Sequence, residues 1–208
     1  MPVDDGHTER PGDEALPGLR RVSDAKTFRA LAHPVRMALI ELLVLSGPLT
    51  ATEAGERIGE SPTTCSFHLR QLARYGFVEE AGGGKGRARP WQISPTGLDF
   101  SSVQDDPETQ LAAGALSRML RDRQFQRYQA WVESRGSYPL PWQEAATDSQ
   151  WVFWLTATEL DELNKELSAL LLPRVLERLS DPSARPAGAL PVELLMFSYP
   201  VAPPPAEG

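Results

Sequence analysis

The sequence has one cysteine, Cys65, among its 208 residues. No disulfide can therefore form within the chain, and one thiolate is too few for a soft-metal cage. Histidine is almost as scarce. His7, His33 and His68 are scattered, with no ligand spacing between them, so an all-carboxylate site is the one metal arrangement left open. Long apolar runs are also missing. The longest, Met37 to Leu45, is broken by Glu41, well short of the roughly eighteen residues that a membrane helix needs. The first nineteen residues carry five acids against one Arg, the reverse of a signal or transit peptide. A cytoplasmic address without membrane attachment is the expectation. There is no glycine-rich phosphate loop, nucleophile–base pair or metal-ligand spacing, so neither an enzyme nor a cofactor is expected.

Positive charge is short overall, at a net −7, but it is unevenly placed. Residues 20–97 hold eleven Lys/Arg against seven acids, while residues 98–208 hold nine against sixteen. A basic segment inside an acidic chain still leaves a local footprint for a polyanion, and the acidic remainder would orient the protein on it.

The chain divides into an N-terminal tail over 1–20, rich in Pro, Gly and acids; a first domain over 21–100; a second over 101–200; and a tail over 201–208 with Pro203-Pro204-Pro205. Both tails are expected to be disordered. From Asp24, apolar residues recur at helical spacing up to His33-Pro34, where Pro34 suits the first turn of a new helix. That helix carries Val35, Ala38, Leu39, Leu42 and Leu43 and ends at Gly47-Pro48. Thr50 or Thr52 caps a short helix through Ile58, closed by Gly59, and Ser61 caps a further one from Pro62 to about Tyr75. Phe77–Glu80 reads as a strand, Gly82–Arg89 as a basic turn and Trp91–Ile93 as the returning strand. Pro95 is read as the start of another helix. A long helix is expected over Pro107–Glu133, loop over 134–149, and a strand buried on both faces over Trp151–Leu155. A helix then runs to about Leu179, with a bend expected at Pro173, and a last strand covers Val192–Tyr199.

Residues 50–76 meet the needs of a helix-turn-helix: two short helices at a tight turn, the second buried on one face only. In that second helix Cys65, Leu69 and Leu72 point inward at spacings of four and three. The residues expected to meet DNA are Thr50, Ser61, Thr63, Thr64, Ser66, Phe67, His68, Arg70, Gln71 and Arg74. The hydroxyls lie near a helix N-terminus that attracts phosphate, and Arg70 has the reach for a guanine edge or a phosphate. Phe67 has two equal readings, contact with thymine methyls or contact with another part of the protein. Lys85, Arg87 and Arg89 read as the cations of a wing. Alone, such a loop would be an ordinary solvated hairpin; directly after a recognition-type helix, the DNA reading has precedence.

Phe28-Arg29-Ala30-Leu31-Ala32-His33-Pro34-Val35-Arg36, Ser66-Phe67-His68-Leu69-Arg70-Gln71-Leu72 and Tyr75-Gly76-Phe77-Val78 together resemble ArsR-type winged helix-turn-helix repressors. The resemblance covers about 24–94. It implies a homodimer on a palindromic operator in double-stranded DNA, and repression relieved by an effector. His68 matches a family position in the recognition helix, and a structural or phosphate-contact role is expected for it. The family's metal-sensing residues are not matched, so no metal is expected.

The resemblance says nothing about residues 100–208. Trp131, Trp142, Trp151 and Trp154 are candidates for an aromatic effector pocket, weighed against ordinary packing in a core or dimer interface, which has precedence. Glu159, Asp161, Glu162 and Glu166 read as the solvated first turns of a helix rather than as an acid–base cluster. The expected fold is α+β and mainly α, a winged helix-turn-helix followed by a helical and small α+β region. The expected function is a sequence-specific transcriptional regulator, with a small-molecule effector acting through the second half. The alternative is a protein-interaction module that uses a winged helix as a docking surface.

Overall fold

The computed structural model describes residues 19–82, 89–94, 97–99, 104–180 and 182–203. Its first half contains β1 (Leu19–Arg21), α1 (Ala25–Leu31), α2 (Pro34–Ser46), α3 (Ala51–Ile58), α4 (Pro62–Arg74), β2 (Val78–Glu80), β3 (Trp91–Ile93) and β4 (Gly97–Asp99). Its second half contains α5 (Pro107–Ser134), α6 (Leu140–Ala145) and α7 (Ala157–Ser180), with short 3₁₀ turns at Arg135–Ser137 and Pro182–Ala184. The mainly helical α+β class read from the sequence holds.

Side-chain caps set the starts of the first-half helices. Asp24 accepts from the Thr27 amide at 2.9 Å, and His33 Nδ1 accepts from the Val35 amide at 3.2 Å. Thr50 and Glu53 form a reciprocal capping box on α3, and Ser61 Oγ accepts from the Thr64 amide at 3.0 Å. Each cap satisfies a donor that the first helical turn leaves unpaired. The turn between α3 and α4 depends on two glycines. Gly59 ends α3 in the left-handed conformation at φ 74°, where a Cβ is disfavoured. At Gly55 a Cβ would lie 2.6 Å from the Glu60 carbonyl oxygen, so the two helices approach as closely as backbone allows.

One apolar core holds the first half together and extends into the second. Phe28, Leu39, Leu69 and Leu72 are fully buried, as are Cys65 and Leu116. Ala112, Ala113 and Leu116 of α5 join this cluster, so the first turns of the long helix belong to the core of the first half. Farther along, α5 is tied to α2 by charge instead. Arg123 donates to Glu41 through Nε at 3.0 Å and Nη2 at 2.5 Å, and Arg127 donates to the same carboxylate at 2.6 Å.

β2 and β3 pair antiparallel, with Val78 opposite Ile93 and Glu80 opposite Trp91. On the other edge of β3, Leu49 forms an isolated antiparallel bridge with Trp91, exchanging backbone hydrogen bonds at 3.0 and 2.8 Å. Of the residues expected to form the wing, 83–88 lie outside the described residues.

Several expectations change. Leu19 and Arg20, assigned to the N-terminal tail, are strand residues, because β1 pairs in parallel with β4. β4 lies where Pro95 was read as opening a helix; a backbone partner from the distant N-terminus outweighs the local signal. The loop expected over 134–149 contains the 3₁₀ turn and α6. Neither Trp151–Leu155 nor Val192–Tyr199 forms a strand, and both segments lie exposed. Their side chains suit a sheet, but among the described residues neither segment pairs with another strand.

Candidate nucleic-acid interface

α4 displays one buried and one open face. Cys65, His68, Leu69 and Leu72 are buried, a stripe at spacings of three, one and three that seats the helix on α2 and α3. Thr63, Phe67, Arg70 and Arg74 are exposed, with Thr64, Ser66 and Gln71 at the margins. Among the described residues, neither Arg70 nor Arg74 has an ion-pair partner, so both guanidiniums are available to an incoming phosphate or base edge.

The capping residues differ from the expectation in detail. The Thr50 hydroxyl donates to Glu53 at 2.8 Å, and Ser61 Oγ and Thr64 Oγ1 share a hydrogen bond at 2.8 Å. These hydroxyls fix helix starts first, and face a ligand only with the capacity left over. Thr63 and Ser66 carry no such bond among the described residues.

His68 departs furthest from its grouping with the DNA-facing residues. It is buried, and its ring centroid lies 4.5 Å from that of His33. Its Nδ1 is shielded from solvent and unpartnered among the described residues. Burial first, then the His33 and Arg36 charges, hold its pKa below the ordinary imidazole range, against a smaller opposing effect of Glu60. Burial and Arg36 act on His33 in the same direction. Both rings are thereby biased toward the neutral form, and the buried position of His68 matches the structural one of the two roles expected for it. Phe67 packs edge-on against His68 at 5.2 Å yet stays 51% exposed. One edge of its ring serves the protein and the other is open.

Of the wing cations, Lys85 and Arg87 lie outside the described residues. Arg89 is exposed and paired with Glu80 at 2.6 Å across the hairpin, so DNA phosphate would compete with a carboxylate for it.

Sequence reasoning missed Arg20 and Arg36. Arg20 reaches over the end of α4 and donates to the Tyr75 carbonyl at 2.7 Å, a cation placed where the helix dipole favours one. With Thr27, Ala73, Arg74, Tyr75, Gly76 and Ser94 it lines an open depression of about 570 Å³. Arg20 was read as part of the tail, and nothing local signals its return to α4. Arg36 stands in the motif His33-Pro34-Val35-Arg36, and its Nη2 donates to the Arg29 carbonyl at 3.1 Å behind the recognition helix.

The four tryptophans named for a pocket are not gathered together. Trp131 stacks near Tyr128 at 6.2 Å, with the Arg135 guanidinium 5.4 Å from its ring. Trp142 is half-buried on α6, whereas Trp151 and Trp154 are 75% and 99% exposed. Among the described residues no three His, Cys, Asp or Glu side chains cluster as metal ligands, and burial raises the Cys65 thiol pKa. No helix among them is long and apolar enough to cross a membrane.

Residues 31–81 match the family described as a helix-turn-helix domain. That match assigns a helix-turn-helix domain to this segment, in agreement with the helix order α3–α4. Among solved structures, the chain is similar to reduced HlyU from Vibrio cholerae N16961, at 20% identity over 46% of this chain and 87% of that one, with a TM-score of 0.29. It is also similar to Rv0081 of M. tuberculosis, at 28% identity over 48% and 90% of the two chains, with a TM-score of 0.31. No curated protein matches. The helix-turn-helix domain ends before the second half of the chain begins.

Proposed function

We propose that the chain is a repressor that binds a palindromic operator as a homodimer, with α4 in the major groove and the wing along the backbone. The observation that carries this reading is the open face of α4, where Thr63, Phe67, Arg70 and Arg74 are exposed above a fully seated inner stripe. Thr63 and Ser66 stand near the helix N-terminus, where backbone donors and dipole favour phosphate. Arg70, one turn further on, is placed for base readout. Two copies related by a twofold axis would present two such helices to successive major grooves. The signal that relieves binding enters, on this reading, as a small molecule at the aromatic second half.

The test is a gel shift with fragments of the neighbouring promoter, at low salt and with competitor DNA. Binding restricted to particular fragments, weakened by Arg70→Ala, supports the proposal. No preference for any fragment at low salt, with or without candidate ligands, sinks it. Charge reversal at Arg70 that leaves capture of a protein partner intact would favour the docking-module reading.

A further inference from the structure

Two segments of the second half are apolar, exposed and without regular secondary structure. Trp151, Val152, Phe153, Trp154 and Leu155 are 75, 66, 61, 99 and 42% exposed, and Val192, Leu194, Met196, Phe197 and Tyr199 lie between 44 and 75%. Exposure affects both faces, since neighbouring side chains on opposite sides of each segment are bare. Among the described residues, no backbone N–H or C=O of 148–155 or 190–200 has a hydrogen-bond partner.

The second segment is nonetheless held in place. Phe197 stacks on Phe125 of α5 at 5.9 Å, the Ser198 hydroxyl donates to Asn164 of α7 at 2.9 Å, and Glu193 pairs with Arg127. The first segment runs directly into Thr156, which accepts from the Glu159 amide at the start of α7. Both are rich in strand-forming residues, and exposed backbone without a ladder partner is a template for another strand.

Charge identifies the occupant. Residues 151–155 carry none, and 189–201 carry only Glu193, which is already neutralised by Arg127. A charged partner finds nothing to pair with, whereas a second copy brings an equally neutral and apolar surface. Size agrees. The aromatic side chains of the two segments, at about 150–250 Å² each and mostly uncovered, together with the aliphatic ones, approach the ~800 Å² per partner that stable interfaces bury.

We propose that residues 151–155 and 192–199 are the dimerisation strands of this protein: each pairs with the same segments of a second copy, so that an intermolecular sheet covers the aromatic residues. This rests on the homodimer of the proposed function and assigns its interface.

The experiment compares the full-length wild type with Trp154→Asp by analytical ultracentrifugation and by amide hydrogen exchange. The wild type is expected to sediment as a dimer with slow exchange over 151–155 and 192–199. Trp154→Asp is expected to sediment as a monomer, with those amides exchanging as in an open chain and α1–α4 still protected. Val152→Pro, which removes one backbone donor, should weaken the dimer without adding charge. A monomeric wild type, a dimer whose two segments exchange freely, or a Trp154→Asp variant that stays dimeric would each overturn the assignment. A protected dimer that binds no operator supports the interface and counts against the regulator reading alone.

Discussion

His68 sits on the recognition helix but turns its ring toward α2, where His33 and Arg36 meet it. In the unfolded chain both imidazoles titrate near pH 6.5. In the folded chain burial and Arg36 hold both lower. The unfolded state therefore takes up protons first as the pH falls. The stability these rings contribute is full above the ordinary imidazole range and declines below it, until the folded pKa values are reached. The urea midpoint is expected to drop between about pH 7.5 and pH 5, with a shallower slope in His68→Gln; equal slopes would contradict this assignment. On the outer face, Arg70→Ala is expected to weaken operator binding by about 1–3 kcal/mol if the guanidinium reads a base. Arg74→Ala should lower affinity uniformly across sequences and flatten the salt dependence. Binding isotherms at several salt concentrations separate the two roles. Arg89 must leave Glu80 to reach phosphate, so Glu80→Gln is expected to tighten DNA binding slightly, as read by the same isotherms.

At the scale of elements, the α3–α4 turn is the most demanding geometry. A Cβ at position 55 meets a backbone oxygen at 2.6 Å, which cannot swing aside as a flexible side chain would. Gly55→Ala is expected to cost about 1–3 kcal/mol, read as a lower melting temperature, and to reduce operator binding in step because the turn sets the angle of α4. The four helices of this region were legible in the sequence because their boundaries rest on local chemistry: Pro34 and Pro62 at first positions, Thr50 and Ser61 as caps, Gly59 as terminator. The inward stripe of α4 was legible for Cys65, Leu69 and Leu72. His68 completes the same stripe; its polar ring kept it out of the apolar count, and its family position left a structural and a phosphate-contact role both open. What local chemistry could not supply was long-range pairing. β4 exists because β1 lies beside it, and Trp151–Leu155 is not a strand in this chain because nothing does. Period and propensity show that a segment suits a sheet, but not which edge it will find.

For the whole molecule, the core of the first half runs on into α5 through Ala112, Ala113 and Leu116, and beyond Leu120 α5 is held to α2 by Arg123 and Arg127 on Glu41. Glu41, half-buried on α2, is hydrogen-bonded by Arg123 and Arg127. Burial alone would raise its pKa, but those bonds and charges lower it below the ordinary carboxylate range. Its contribution to stability is accordingly present above the ordinary carboxylate pKa and lost as the pH falls through the lowered one. Glu41→Gln is expected to cost about 1–3 kcal/mol in urea denaturation at neutral pH, with the loss shrinking in acid; an equal loss at both pH values would contradict it. Arg127 also holds Glu193, so one guanidinium touches both the helix behind α4 and the segment assigned to dimer contact. A cation shared in this way makes the two halves of the chain electrically accountable to each other. Were 192–199 to move, Arg127 would have to part from Glu41 or from Glu193, so any shift of that segment is tied to α2 through a single guanidinium.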